Sequence, residues 1–168
     1  MNFGIVYGIS AFSLSQDIGV SVAEAKAYME KYFEKYSGVH AYMTQVVERA
    51  KADGYVSTLM GRRRWLPELK SSNFNLRSFG ERVALNMPIQ GTAADMIKIA
   101  MIHVDKLLEG TRSRLILQIH DELLVDLHKD ETELIPKIEE AMIGALPLPN
   151  GVPILVEART GNNWLEAH

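Results

Sequence analysis

Residues Arg114–Leu127 of this chain read RLILQIHDELLVDL. Apolar residues fill both ends of the stretch, and the ionisable run His120-Asp121-Glu122 lies between them. Two short apolar runs around a polar break are typical of antiparallel strands joined by a tight turn. The stretch therefore predicts a β-hairpin with strands over residues 114–119 and 122–127.

Helical patterns precede this hairpin. A short apolar-periodic stretch covers residues 11–18. Ser21, with Glu24 three residues later, forms a capping-box pattern that begins a second helix with one apolar face. We expect this helix to break at Gly38 and another helix to run over Val39–Ala52.

The middle of the chain combines a small hairpin with a long helical region. Aromatic and β-branched residues at 55–59, a turn and the run Arg64–Leu66 predict the hairpin. After a polar loop, helical patterns cover Leu76–Met87 and Ile89–Leu108. Pro88 lacks a backbone donor, so we expect it to kink or separate these two helices.

The carboxyl-terminal part predicts one more helix, over Asp130–Leu146, and a last strand over Val152–Ala158. Helices therefore come first, and an antiparallel sheet with a covering helix follows. This order predicts an α+β fold.

The composition is that of a globular protein and excludes several classes. The chain has 168 residues, and its 47% hydrophobic content allows a sizeable core. The absence of cysteine excludes disulfides and thiolate metal sites. No apolar run approaches the roughly 20 residues that span a bilayer, and the first residues show no signal-peptide pattern. We therefore expect a soluble cytoplasmic protein.

Charge is distributed unevenly along the chain, although the net charge is only −3. Arg62, Arg63 and Arg64 are consecutive and precede Trp65, whereas acidic residues cluster within 130–140. Arginine binds phosphate through two parallel hydrogen bonds, so the basic run suits a duplex backbone. A solvated loop is the commoner explanation of such a run.

The turn at residues 120–122 suits a divalent-metal site. Magnesium prefers carboxylate oxygens and needs only one or two protein carboxylates when a substrate supplies phosphates, which makes Asp121 the candidate ligand. A solvated polar turn is the simpler explanation of these residues taken alone. The dipeptide His120-Asp121 also occurs in metal-dependent phosphohydrolases, which place it on helices, whereas both flanks here favour strands.

Two further sets of residues suit a nucleic acid. Arg82, Asn86 and Gln90 are spaced four residues apart, near one face of a helix, and can donate hydrogen bonds to phosphates, sugars and base edges. An exposed polar face is the alternative. Phe3 and Tyr7 share a helical face beside glycines, where they either pack in the core or stack on a base.

The order and spacing of these motifs resemble the family A DNA polymerases, the bacterial polymerase I family. Asn2-Phe3-Gly4-x-x-Tyr7-Gly8 resembles the end of that family's fingers-helix motif, and residues 86–95 resemble its palm helix. Residues 118–123 resemble its third palm motif, Gly61–Arg64 its arginine-rich hairpin, and Asn163-Trp164 its carboxyl terminus. The similarity covers essentially the whole chain.

This resemblance implies a role for each matching residue. Asp121 would bind the catalytic Mg²⁺, Glu122 would be an auxiliary carboxylate, and His120 would hold the primer end. Phe3 would pack on the incoming sugar, and Tyr7 would stack near the templating base. The residues Arg82, Asn86 and Gln90 would contact template, primer and minor-groove edges. The arginine-rich hairpin with Arg62, Arg63 and Arg64 would also bind DNA.

The resemblance also implies a fingers-derived helical segment with the arginine-rich hairpin over residues 1–75 and a partial palm over residues 76–168. The implied function is template-directed nucleotidyl transfer to a primer 3′-hydroxyl by two magnesium ions, in DNA replication and repair. Its partners would be a DNA primer–template and deoxynucleoside triphosphates (dNTPs), and the protein would be associated with the nucleoid.

Two family features have no counterpart in this sequence. In the family an arginine and a lysine precede Asn-Phe-Gly and grip the triphosphate, whereas Met1 directly precedes Asn2 here. The first palm motif, with the other essential aspartate, is also missing. We therefore expect the chain alone to be inactive, and its uncovered apolar surface to bind the missing amino-terminal part or a second copy.

The sequence leaves two alternatives to a polymerase fragment. A stand-alone nucleic-acid-binding module would keep the arginines and lack catalysis. A metal-dependent phosphohydrolase built on His120-Asp121 would need further ligands, and the spacing of His40, His103, His128 and His168 does not suit it.

Overall fold

The computed structural model describes residues 4–5 and 7–167. It is mostly helical, with two small antiparallel sheets, which confirms the predicted α+β class. The chain forms two compact units, Met1–Thr92 and Ala93–His168, and the boundary between them falls inside one long helix. The functional division into fingers at 1–75 and palm at 76–168 stays a prediction.

Three helices form the start of the first unit: α1 (Ala11–Ile18), α2 (Val22–Lys35) and α3 (Ser37–Asp53). The predicted capping box is confirmed at the start of α2. The backbone nitrogen of Glu24 donates to the Ser21 hydroxyl at 3.2 Å, and the backbone nitrogen of Ser21 donates to the Glu24 carboxylate at 2.9 Å. The Ser21 hydroxyl also donates to that carboxylate, and these bonds lower the pKa of Glu24.

The predicted break at Gly38 is wrong. The chain leaves helical geometry at Tyr36, where φ is −113° and ψ is 55°, and α3 begins at the next residue. Gly38 therefore lies in the first turn of α3. A Cβ at this position would meet nothing within 4 Å, so packing does not require glycine here.

The small hairpin is confirmed as β1 (Tyr55–Ser57) paired antiparallel with β2 (Arg63–Trp65). A short 3₁₀ turn, Pro67–Lys70, follows. The hairpin and this turn pack on helices through one buried apolar cluster, which consists of Ala50, Val56, Leu66, Leu69 and Ala84.

The long helix α4 runs over Phe74–Leu108, so the predicted separation at Pro88 is wrong. Proline inside a helix costs about 3 kcal/mol because a hydrogen bond is lost and the ring clashes with the preceding turn. Buried residues lie on both sides of it, Ala84 and Leu85 before and Thr92 after. We infer that this packing offsets the cost.

The second unit contains the predicted second hairpin, β3 (Arg114–Ile119) and β4 (Glu122–Asp126), paired antiparallel. Its register shifts between Leu115 and Leu117, which leaves Ile116 as the extra residue of a bulge. The core of this unit joins the hairpin to the last turns of α4 and to one further helix through Val104, Leu108, Leu115, Leu123, Val125 and Leu134.

That further helix, α5, covers only Leu134–Ile143, so its predicted extent of Asp130–Leu146 is wrong. At its start, the Glu131 carboxylate accepts hydrogen bonds from the loop before β3, which holds this part of the chain in a turn. Pro136 is the third residue of α5, where no backbone donor is needed.

The predicted last strand over Val152–Ala158 is also wrong. A strand exists only where a second backbone segment pairs with it, and within residues 4–5 and 7–167 the only pairings are β1–β2 and β3–β4. Leu155 in this segment is 89% exposed. A short helix α6 (Trp164–Ala167) follows. No helix in the described part of the chain is long and apolar enough to cross a membrane.

Candidate nucleic-acid interface

The three residues of the predicted polar row lie on the first half of α4. Arg82 and Gln90 are exposed, and Asn86 is partly buried. One guanidinium nitrogen of Arg82 donates to the Ser78 hydroxyl at 3.2 Å, which directs the side chain along the helix. The side-chain oxygen of Asn86 is buried and has no hydrogen-bond partner among the described residues. Buried polar atoms are nearly always paired, so this oxygen is an exception within the row.

The arginine-rich hairpin is held against the same helix. A Cβ at Gly91 would lie only 2.6 Å from Cγ2 of Thr58, so only glycine allows this approach. The backbone nitrogen of Leu59 donates to the Thr92 hydroxyl at 3.1 Å, and the backbone nitrogen of Arg62 donates to the Thr58 hydroxyl at 3.2 Å. The approach of Thr58 to Gly91 and the Leu59–Thr92 bond fix the hairpin turn on α4 directly after Gln90.

Sequence reasoning did not identify this docking contact. The available signal was Gly91 itself, because glycine inside a helix costs about 1 kcal/mol relative to alanine and usually has a packing reason there. The partner Thr58, 33 residues earlier, carries no local signal of the contact.

The three consecutive arginines are exposed but do not share one face of the hairpin. Arg63 lies on the face of Tyr55, with its guanidinium carbon 4.6 Å from the centre of that ring. Trp65 is on the same face, and its ring centre is 5.1 Å from that of Tyr55. Arg64 pairs in register with Val56 and so belongs to the opposite face.

The amino-terminal segment contacts α4 beside Arg82. Its helical residues end in a turn at Gly8, whose φ of 78° is left-handed, and the backbone nitrogen of Ile9 donates to the carbonyl of Gly4 at 2.8 Å. A Cβ at Gly8 would lie 3.1 Å from Leu85 and 3.6 Å from Cγ of Arg82.

Tyr7 is partly buried and directly precedes Gly8. It therefore lies in the segment that contacts Arg82. Phe3, the other predicted stacking residue, lies outside the described residues.

The predicted catalytic residues lie at the turn between β3 and β4. His120 and Asp121 form a two-residue turn, and both they and Glu122 are exposed. His120 has a φ of 53°, which is uncommon for a residue with a side chain. The side-chain amide of Gln118 donates to the His120 carbonyl at 2.5 Å and braces the turn.

These carboxylates have the chemistry of a partial magnesium site. Mg²⁺ is typically held by one or two carboxylates, with waters and substrate phosphates completing its coordination, and Asp121 and Glu122 fit that donor set. Among the residues that the structure describes, no group of three or more His, Asp or Glu side chains could hold a metal ion. The turn can therefore supply part of a site.

The opposite end of this hairpin is fixed by Glu131. Its carboxylate accepts hydrogen bonds from the Ser113 hydroxyl at 2.6 Å, the Ser113 backbone nitrogen at 3.0 Å and the Arg112 backbone nitrogen at 3.1 Å. These donors, the Ser113 hydroxyl first, lower the pKa of Glu131 to about 2. The Ser113 hydroxyl in turn accepts from the backbone nitrogen of His128 at 2.9 Å. Sequence reasoning missed this network, because it joins segments 18 residues apart.

Comparison with known proteins identifies the family. A family model described as DNA polymerase family A matches residues 1–166. The chain belongs to DNA polymerase family A. Proteins named DNA polymerase I from Bacillus subtilis, Mycobacterium tuberculosis and Streptococcus pneumoniae are 50%, 49% and 47% identical to it. The alignments cover 98–99% of this chain but only 18–19% of those proteins, so the chain spans about a fifth of their length.

A solved structure of the family has the same fold. It is described as the POL domain of Pol1 from M. smegmatis in complex with DNA primer-template and dNTP. Its sequence is 48% identical, and it superimposes with a TM-score of 0.94 over 99% of this chain and 30% of that one. The family predicted from the motifs is confirmed.

Proposed function

We propose that this chain is the carboxyl-terminal part of a DNA-directed DNA polymerase, which transfers nucleotides to a primer 3′-hydroxyl under the direction of a template in DNA replication and repair. The observation that carries the proposal is the likeness, over 99% of the chain, to a polymerase domain solved with primer-template and dNTP. The partners are then primer–template DNA and dNTPs, and the protein works in the cytoplasm at the nucleoid.

The first unit would supply the DNA contacts. The minor groove offers acceptors that are common to A·T and G·C pairs, and the amide groups of Asn86 and Gln90 can donate to them. Arg82 and the hairpin arginines carry the charge that phosphates require. The contact between the Gly8 turn and Arg82 supports a role for Tyr7 beside the templating base, with Phe3 packing on the incoming sugar.

The second unit would supply part of the catalytic site. We assign Asp121 as the metal ligand, Glu122 as an auxiliary carboxylate and His120 as the residue that holds the primer end. The short turn and the Gln118 brace hold these groups on a rigid support. When bound, two magnesium ions would activate the primer 3′-hydroxyl and stabilise the leaving pyrophosphate.

The 168-residue chain alone is proposed to be inactive, because its sequence has no match to the family's first palm motif, which carries the other essential aspartate. It also exposes apolar side chains on the second unit: Ile116 is 57%, Leu117 50% and Leu155 89% exposed. We propose that the amino-terminal remainder of the polymerase covers this surface and that the isolated chain self-associates through it. A clean monomer at high concentration in sedimentation would contradict self-association.

A chimera tests the catalytic proposal. This chain replaces the matching segment of the Bacillus subtilis DNA polymerase I, and primer extension is measured with magnesium. The chimera should extend a primer, and the chain alone should not. Asp121→Asn in the chimera should lower the rate by roughly 10³-fold, because metal ions supply several kcal/mol of transition-state stabilisation.

Three outcomes would overturn parts of this proposal. Robust extension by the chain alone would refute its inactivity. Full activity of the Asp121→Asn chimera would refute the metal-ligand assignment. A correctly folded chimera that binds primer–template but does not extend it would favour a non-catalytic nucleic-acid-binding module instead.

A further inference from the structure

The outward face of the β1–β2 hairpin carries an exposed aromatic residue that the core does not use. Trp65 is 64% exposed, although its neighbour Leu66 is 1% exposed and fills the core. Burying an aromatic ring removes a large apolar area from water, so a tryptophan held in solvent leaves a surface available for a flat partner.

The side chains around Trp65 indicate the chemical class of that partner. The Arg63 guanidinium covers the Tyr55 ring, and Tyr55 meets Trp65 at an angle of 60° between ring planes. Tyr55 therefore supports the tryptophan, and the exposed surface is that of Trp65. Residues 54–67 include three arginines and no acidic residue. A stacking ring beside an arginine side chain is the pattern that binds single-stranded nucleic acid.

The hairpin is also rigid before any ligand binds. The backbone nitrogen of Leu66 donates to the carbonyl of Gly54 at 2.9 Å, directly after Trp65. At the other end, the turn is held on α4 by the bond between Leu59 and Thr92. A preformed surface loses little conformational entropy on binding, so a single stacked base can contribute its full stacking energy.

We propose that the face formed by Tyr55, Arg63 and Trp65 binds one unpaired nucleotide of a DNA strand. Trp65 stacks on the base, and Arg63 binds the adjoining phosphate through guanidinium edges that its contact with Tyr55 leaves accessible. The occupant is single-stranded, because bases inside a duplex present only their edges, whereas an unpaired base presents its face. The inference rests on the proposed function, in which this nucleotide belongs to the template strand beyond the primer.

The test compares two DNAs by fluorescence anisotropy. One is a blunt duplex, and the other is the same duplex with a 5′ overhang of about six thymidines. The chain should bind the overhang DNA more tightly. The variant Trp65→Ala should lower that preference by about 5- to 160-fold, the contribution of one stacked base, and leave binding of the blunt duplex unchanged. Trp65→Phe should retain part of the preference.

Two controls separate this effect from a general loss of binding. Met60→Ala truncates another exposed apolar residue of the same hairpin, 55% exposed, and should change neither affinity. Arg82→Ala should weaken binding of both DNAs by the same factor. The fluorescence of Trp65 can be measured directly in Trp164→Phe, in which Trp65 is the one remaining tryptophan. Its fluorescence should be quenched by the overhang DNA and not by the blunt duplex.

Each outcome decides the proposal. An unchanged overhang preference in Trp65→Ala, or equal quenching by both DNAs, overturns it. If the wild-type chain binds both DNAs equally, the unpaired-nucleotide site is refuted and the duplex interface stands. If the chain binds neither DNA at low salt, the proposed DNA interface fails as well. Should Trp65→Ala not fold, the Trp164→Phe quenching gives the decision.

Discussion

Replacing Gly91 tests how the arginine-rich hairpin is held on α4. In Gly91→Ala the new Cβ would lie 2.6 Å from Cγ2 of Thr58. Carbon atoms in contact are normally about 3.5–4.0 Å apart, so the hairpin and the helix must separate by about 1 Å. Thr58 cannot easily move away, because it is 5% exposed and its hydroxyl accepts a hydrogen bond from the backbone nitrogen of Arg62.

The expected change in stability follows from two opposing effects. Overpacking of this kind destabilises a protein by about 1–3 kcal/mol. Alanine in place of a helical glycine stabilises the helix by about 1 kcal/mol. Gly91→Ala should therefore lower the free energy of unfolding by about 0–2 kcal/mol. In the matched control, Gly38→Ala, no atom lies within 4 Å of the new Cβ. That variant should be more stable than wild type by up to about 1 kcal/mol.

Urea unfolding followed by circular dichroism measures both variants. The double variant Thr58→Ser/Gly91→Ala is the decisive one, because serine keeps the hydroxyl and removes the methyl group that clashes. It should recover most of the stability lost in Gly91→Ala, relative to Thr58→Ser alone. If Gly91→Ala and Gly38→Ala stabilise the protein equally, or if Thr58→Ser gives no rescue, the close contact between hairpin and helix is refuted.

Three further predictions follow from named hydrogen bonds and one backbone angle. Ser21→Ala should lower stability by about 1 kcal/mol through loss of the capping box, measured by thermal unfolding, and an unchanged melting temperature would contradict it. The lowered pKa of Glu131 means that its contribution to stability is complete above pH 4.5 and is lost as the pH falls towards about 2. The urea midpoint of Glu131→Gln should therefore vary less than that of wild type over this range, and parallel curves would refute the assignment. His120→Gly should leave stability within about 1 kcal/mol of wild type, because relief of the left-handed strain offsets the added chain entropy. Primer extension by the chimera should fall in the same variant, and full activity would remove His120 from the site.

Elements with local signals could be predicted from the sequence, and elements that depend on distant partners could not. The capping box of Ser21 and Glu24 is built within four residues, and the β3–β4 hairpin within thirteen, so the local sequence contains every residue that these elements use. The separation expected at Pro88 is wrong because buried neighbours keep α4 continuous. The largely apolar run Val152–Ala158 indicates a strand from the sequence, but no second backbone segment pairs with it among the described residues.

The candidate site shows the same difference between residues with local signals and residues that depend on distant partners. The motifs predicted the acidic turn and the polar row on α4 by residue number, because the proposed roles require particular side chains. The supports of these residues were not located, because glycine, threonine and serine act there through packing and single hydrogen bonds. Gly91 against Thr58 and Glu131 on Ser113 are two such supports.

The two compact units carry different parts of the proposed activity, and each part is held by contacts inside its own unit. The hairpin arginines depend on Thr58, Gly91 and Thr92, all within the first unit. The carboxylate turn depends on Gln118 in the second. Gly91→Ala, which disturbs the support of the hairpin, should therefore weaken DNA binding. Asp121→Asn should lower primer extension by the chimera roughly 10³-fold and leave duplex affinity intact. Loss of duplex affinity in Asp121→Asn would show that the two parts are not built independently.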